Sequence, residues 1–181
     1  MTERTTRIAV LGSTGSIGRA VLEVVARNSE RFKVVSLSAW SSMDLLAGQL
    51  RKTGARRAAV APGRGSSLDA PDGVSVLEGQ DGIVELAADP DVDLVVNALV
   101  GASGLRPTVA ALGAGRRLAL ANKESLVAAG ELAMGLARRS GTEIVPVDSE
   151  HSSIFRCLRG APRAEVESLV LTASGGPLRD R

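Results

Sequence analysis

Seven consecutive residues near the N-terminus, Gly12-Ser13-Thr14-Gly15-Ser16-Ile17-Gly18, restrict the possible folds of this chain more than any other feature. They follow an apolar run, Arg7–Leu11, that reads as a buried strand. They open an amphipathic stretch, Ser16–Asn28, that reads as a helix with Ile17, Val21, Val24 and Val25 on one face. Glycines so spaced between strand and helix have separate tasks. Gly12 permits the tight turn, Gly15 lets backbone approach a pyrophosphate, and Gly18 lets the helix pack on the strand. The helix N-terminus adds unpaired N–H groups and a positive dipole end, and Thr14 and Ser16 add hydroxyl donors. This context points to a Rossmann-type dinucleotide site. The competing reading is a structural glycine turn with no ligand.

The rest of the chain alternates short β-branched runs with longer Ala/Leu-rich segments, the pattern of βαβ units. Strands are expected at Lys33–Ser38, Arg57–Ala61, Asp93–Asn97, Leu118–Ala121 and Thr142–Val147. Helices are expected at Asp44–Thr53, Gln80–Ala88 and Lys123–Arg139, with a turn-rich stretch from Pro62 to Gly73. The predicted class is α/β with a Rossmann-type, mostly parallel sheet over residues 1–146. Past Val147 the character changes, to a short helix at Glu150–Arg159 and a strand at Glu165–Ala173 that runs into Ser174-Gly175-Gly176-Pro177. Residues 147–181 read as the beginning of a second, α+β catalytic domain, and the chain is expected to be a fragment.

Composition removes several classes of function. Lys and Arg total 22 against 20 Asp and Glu, and the arginines are scattered rather than gathered on one face. Aromatics are 2% with no Tyr, so no base-stacking platform exists and nucleic acid is not an expected partner. No apolar run approaches the length of a membrane span, and Met1–Arg7 is polar. The single cysteine, Cys157, cannot form an intrachain disulfide, and a cytoplasmic location is expected. Lysine occurs only at Lys33, Lys52 and Lys123, so a retained lysine can mark a need for a compact ammonium.

The residues after the second strand bear on cofactor choice. An NAD site places an acid there to bind the ribose hydroxyls. Here Leu37–Ser42 carries none, and the first acid is Asp44. Ser41 and Ser42 precede a helix start and can bind a 2′-phosphate through hydroxyls and helix N–H groups, or simply cap that helix. NADPH is the expected cofactor.

Three further polar stretches follow strands: Asn97–Gly104, Ala121–Ser125 and Val147–Ser152. All should gather at the carboxyl edge of the sheet, where open α/β folds bind ligands. Asp148 and Glu150 alternate in what reads as extended chain, so both carboxylates should point one way. Two hard oxygen donors suit Mg²⁺ or Mn²⁺, with Co²⁺ a further candidate. The alternative is a solvated acidic loop.

Taken in order, GSTGSIG, NALVGASGL, LANKESLV, PVDSEHSSIF and LTASGGPLR make the chain resemble the 1-deoxy-D-xylulose 5-phosphate reductoisomerase family from Arg7 to Arg179. The resemblance implies an NADPH-dependent isomerising reduction of 1-deoxy-D-xylulose 5-phosphate, a small phosphorylated sugar. The product is 2-C-methyl-D-erythritol 4-phosphate, a precursor of isoprenoids, and the full-length enzyme would be a homodimer. It implies that Thr14, Gly15, Ser16 and Ile17 contact NADPH, with Asn122 and Glu124 also touching it. Lys123, Ser149, Glu150 and Ser174 would bind substrate, and Asp148 and Glu150 a divalent cation. The family usually has a Gly-led turn with a basic or amide residue after the second strand. Here Trp40-Ser41-Ser42 stands in its place, and Trp40 is expected either on the adenine or in a hydrophobic gap.

Family enzymes also carry a mobile loop, a third carboxylate, further phosphate ligands and a C-terminal helical domain. The 181-residue chain alone is therefore expected to be inactive. Two rival readings stay open. One is a non-catalytic NADP-binding module. The other is a semialdehyde-dehydrogenase-like enzyme, which needs a reactive cysteine paired with histidine. His151, the only histidine, is read as structural or as a partner of a ligand, and Cys157 as facing the core of its helix.

Overall fold

The computed structural model describes residues 4–160 and 162–170. Thr6–Leu11 forms β1 and Ser16–Ala26 forms α1; Phe32–Ser38 forms β2 and Met43–Thr53 forms α2. Two short strands follow, β3 at Arg57–Val60 and β4 at Ser75–Glu78, then α3 at Gly79–Ala88 and β5 at Leu94–Asn97. The chain continues as α4 (Leu105–Gly113), β6 (Arg117–Leu120), α5 (Lys123–Ser140), β7 (Ile144–Pro146) and α6 (Ser149–Leu158).

The strands make one sheet in the order β4-β3-β2-β1-β5-β6-β7. Every neighbouring pair is parallel. A parallel sheet must be covered on both faces, and two apolar clusters do so. One packs Val25 of α1 and Leu46 and Leu50 of α2 on Val10, Val34 and Leu37. The other packs Ile83 and Leu86 of α3, Leu112 of α4 and Ala133 and Ala137 of α5 on Leu11, Val95 and Leu118.

Two elements have no counterpart in the sequence reading. β4 has four residues, none fully buried, beside a turn-rich stretch, so its periodicity is faint. α4 carries Pro107 in its first turn, where a missing N–H costs nothing. The parallel pairing of β5 with β6 requires a crossover there in any case.

Other details are corrected by packing. In α1 the buried stripe is Gly18, Val21, Leu22 and Val25, while Val24 is 56% exposed and Ile17 faces the site described below. α5 is kinked at Ala129, whose φ of −145° leaves the helical range. Of the strand expected over Glu165–Ala173, the residues up to Val170 are a short 3₁₀ turn and irregular chain. The remainder, with Ser174, lies outside the described residues. Cys157 is exposed rather than core-facing. Among the described residues no helix is long and apolar enough to cross a membrane.

Candidate cofactor and substrate site

The order of strands places the reversal of winding between β1 and β5, whose carboxyl ends diverge and leave a crevice. The glycine turn lies on one side of it. Gly12 adopts φ +79°, and a Cβ there would come 2.8 Å from the Ala98 carbonyl oxygen, so both conformation and space demand glycine. Gly18 meets a second limit, since a Cβ would lie 2.6 Å from Ser13 Cα. Gly15 differs from both. Its φ of −71° suits any residue, and its nearest protein atom would be 3.4 Å from a Cβ. The fold itself does not require glycine at residue 15, and the open space in front of it is where a ligand would stand.

α1 begins there without a side-chain cap, because its N-cap residue is Gly15. The N–H groups of Ser16, Ile17 and Gly18 and the hydroxyls of Thr14 and Ser16 have no acceptor or donor partner among the described residues. A cavity of about 190 Å³ opens in front of them. Gly15, Ser16 and Ile17 form one wall, Ala98, Leu99 and Val100 another, and Ala121, Lys123 and Glu124 the third. A larger groove of about 660 Å³ runs between α1 and α2; its lining includes Asp44 and Leu45 from the first turn of α2 but none of the glycines of the turn. Size alone does not make it the site.

The side chain of Asn122 is bonded within the protein. It is 1% exposed and absent from the cavity lining. Its amide nitrogen donates to the Leu99 and Gly101 carbonyls at 2.9 and 2.8 Å, and its oxygen accepts from the Ser125 amide and hydroxyl. Both protons and both lone pairs are used. Asn122 thus caps α5 and fixes the 99–101 wall, leaving no side-chain hydrogen bond for a cofactor. Asn97, buried at the end of β5, holds the same wall from behind through Gly104 and Thr108.

The turn after β2 also departs from a simple cap. Ser42 is the N-cap of α2, yet its hydroxyl makes no capping bond; the Met43 N–H donates to the Ser41 carbonyl at 3.2 Å, and the N–H groups of Asp44 and Leu45 remain open to an anion. Trp40 is 53% exposed, which excludes the gap-filling role.

After β7, Asp148 is not in an extended run with Glu150. α6 starts at Ser149, so Asp148 is its N-cap and Glu150 lies in its first turn. A carboxylate is favoured there by the open N–H groups and the dipole. Asp148 accepts from the His151 amide at 2.9 Å, and its other oxygen pairs with the His151 ring nitrogen Nδ1. Burial pushes the Asp148 carboxyl up, but the His151 ring and amide bonds, with the charges of His151 and Lys123, outweigh it and hold the group below its ordinary range. Lys123, which lines the cavity, thus also contributes favourable charge at Asp148. Ser149 lies in α6 between the two carboxylates in sequence. Among the described residues no cluster of three or more His, Cys, Asp or Glu side chains could hold a metal. The donor set there is two carboxylates, and Asp148 carries the negative charge a divalent cation needs.

His151 and Cys157 share α6 but stand six residues apart, roughly 240° around the helix axis. These two residues do not form the cysteine–histidine pair that the semialdehyde-dehydrogenase reading would need from them.

Residues 8–130 match the family model for 1-deoxy-D-xylulose 5-phosphate reductoisomerase, and residues 144–181 match the model for its C-terminal domain. The chain belongs to the 1-deoxy-D-xylulose 5-phosphate reductoisomerase family. It is 54% identical over 178 residues to the reductoisomerase of Rhodococcus jostii, covering 97% of this chain and 44% of that protein. The reductoisomerase of Zymomonas mobilis in complex with NADPH superimposes with a TM-score of 0.82 at 39% identity, covering 89% of this chain and 42% of that one. A reductoisomerase structure with NADPH, fosmidomycin and magnesium gives 0.78 at 38% identity, covering 88% and 40%. The chain thus spans less than half the length of these reductoisomerases.

Proposed function

We propose that this chain is the cofactor-binding part of an NADPH- and metal-dependent reductoisomerase that converts 1-deoxy-D-xylulose 5-phosphate to 2-C-methyl-D-erythritol 4-phosphate. The observation that carries this reading is the uncapped N-terminus of α1 behind Gly15, open to the cavity at the β1/β5 reversal. NADPH, the cofactor in the related Zymomonas mobilis complex, would lay its pyrophosphate on the N–H groups of Ser16, Ile17 and Gly18. Thr14 and Ser16 add hydroxyl bonds. Ser41 and Ser42 with the open turn of α2 take the 2′-phosphate, and the exposed Trp40 faces the adenine end. Leu99 and Val100 supply an apolar wall for the nicotinamide end, and Glu124 lines the floor.

Lys123, at the first position of α5, opposes the helix dipole, so an anion is needed beside it. Asp148 meets part of that need, and the sugar phosphate meets the rest. Asp148 and Glu150 fit a divalent cation, which when bound would polarise substrate oxygens. His151 keeps Asp148 oriented and ionised. Ser149 and, beyond the described residues, Ser174 are the remaining proposed substrate contacts. The changeover from NADPH-binding to catalytic domain is proposed at 146/147, just after β7, the last strand of the sheet; the C-terminal family model begins slightly earlier, at residue 144. The free, exposed Cys157 suits a cytoplasmic setting.

The test is a chimera in which residues 1–170 replace the matching part of the Rhodococcus jostii enzyme. NADPH consumption that depends on 1-deoxy-D-xylulose 5-phosphate and Mn²⁺ is expected. A folded chimera that binds NADPH yet turns over no substrate would contradict the reading. The chain alone, with two carboxylates for a metal among its described residues, should give no turnover above background.

A further inference from the structure

The glycine turn is held by residues that do not line the cavity in front of it. Gln49, in the middle of α2, is 8% exposed, and both ends of its amide are used on Ser13, itself fully buried. The Ser13 hydroxyl donates to Gln49 Oε1 at 2.7 Å, and Gln49 Nε2 donates to the Ser13 carbonyl at 2.8 Å. The orientation is fixed by chemistry, because a carbonyl oxygen accepts only and must face the NH₂ end. β2 completes the clamp. The Ser13 amide donates to the Ser38 carbonyl at 2.8 Å, and the Ser38 hydroxyl accepts from the Gly12 amide at 3.0 Å.

A buried amide on a helix face otherwise lined by Leu46, Ala47 and Leu50 is costly unless it is bonded. Apolar residues at 13 and 49 would fill the same space without that cost, but they would not fix a distance. α2 also presents its open first turn at Ser42, about 10 Å along the axis from Gln49 at 1.5 Å per residue. One rigid helix therefore carries the 2′-phosphate end of the proposed site and grips the pyrophosphate end.

We propose that Gln49 is a positioning residue for the cofactor, setting through Ser13 the spacing between the pyrophosphate turn and the 2′-phosphate site at the start of α2. This rests on the NADPH reading above. NADH uses only the first of the two sites, so loss of the clamp should weaken NADPH binding more than NADH binding.

The test uses energy transfer from Trp40, the only tryptophan, to each reduced cofactor in the wild-type chain, Gln49→Met and Ser13→Ala. Gln49→Met keeps length and removes both bonds, so its NADPH Kd should rise about tenfold and its NADH Kd less than about threefold. Ser13→Ala, which leaves the Ser13 carbonyl bonded and disturbs folding least, should shift the ratio the same way by a smaller factor. Both singles and the double variant should be sub-additive, as groups of one network are. An unchanged NADPH-to-NADH ratio, even with a lowered Tm, would reduce Gln49 to a packing residue and overturn the proposal while leaving NADPH binding standing. Failure of the wild-type chain to bind NADPH would overturn the functional reading, and this inference with it.

Discussion

A Cβ on Gly18 would lie 2.6 Å from Ser13 Cα, so α1 can leave the turn at its observed angle only if residue 18 has no side chain. Gly15, three residues earlier, has no comparable obstruction from the protein. The two glycines therefore separate folding from binding. Gly18→Ala should lower stability by about 1–3 kcal/mol through overpacking. Gly15→Ala should leave Tm near wild type and weaken NADPH binding sharply, since its methyl would stand where the pyrophosphate approaches. Thermal melts paired with cofactor titrations check both. Equal melting of the two variants would show that the steric distinction is false.

Selectivity for the 2′-phosphate should rest on Ser42. The Ser42→Asp variant keeps a good N-cap for α2 and places a negative charge against the phosphate. NADPH affinity is expected to drop by at least about tenfold, from like-charge repulsion of order 1.4 kcal/mol or more, with NADH affinity and Tm little changed. Calorimetric titration of both cofactors measures it, and unchanged NADPH affinity would remove Ser42 from the site.

Lys123→Ala should spare the cofactor and damage substrate handling. In the chimera, NADPH Kd should move less than about threefold while kcat/KM falls at least about a hundredfold, as for loss of a charged contact to a bound anion. Unchanged kcat/KM would make Lys123 a surface residue.

Away from the site, Arg7 grips Asp93 through both guanidinium and backbone N–H. The Arg7 hydrogen bond is the largest influence on the Asp93 carboxyl and holds it below its ordinary range, against burial. A carboxyl with a depressed folded-state pKa adds stability that is complete above its unfolded value of about 3.9 and is lost as pH falls through the folded one. Asp93→Asn should therefore cost about 1.5 kcal/mol near neutrality, and the gap from wild type should close as pH falls below about 4. Denaturant melts at several pH values check this; a gap that stays constant down to pH 3 would contradict it.

The sheet was legible because its two longest strands carry β-branched residues, Ile8 and Val10 in β1 and Val34 and Val35 in β2, and because Gly12–Gly18 sets strand against helix. β4 and α4 were not, since a four-residue edge strand and a helix bearing Pro107 have little periodicity of their own. The carboxyl edge of the sheet was legible as motifs but not as geometry. Nothing local in Asn122 says that its amide will be consumed by Leu99, Gly101 and Ser125. The Gln49–Ser13 clamp joins residues from different elements, and its only sequence signal is a glutamine on an apolar helix face. Asp148 misled because an N-cap aspartate and an extended D-x-E look alike until the helix start at Ser149 is seen.

The central claim is that an open helix N-terminus at the β1/β5 reversal binds NADPH. The most direct measurement is titration of the chain with NADPH, followed by quenching of Trp40 and energy transfer to the nicotinamide. Saturable one-to-one binding, tighter for NADPH than for NADH and abolished by Gly15→Ala without loss of fold, is predicted. A folded wild-type chain showing no saturable binding, or binding untouched by Gly15→Ala, would contradict it.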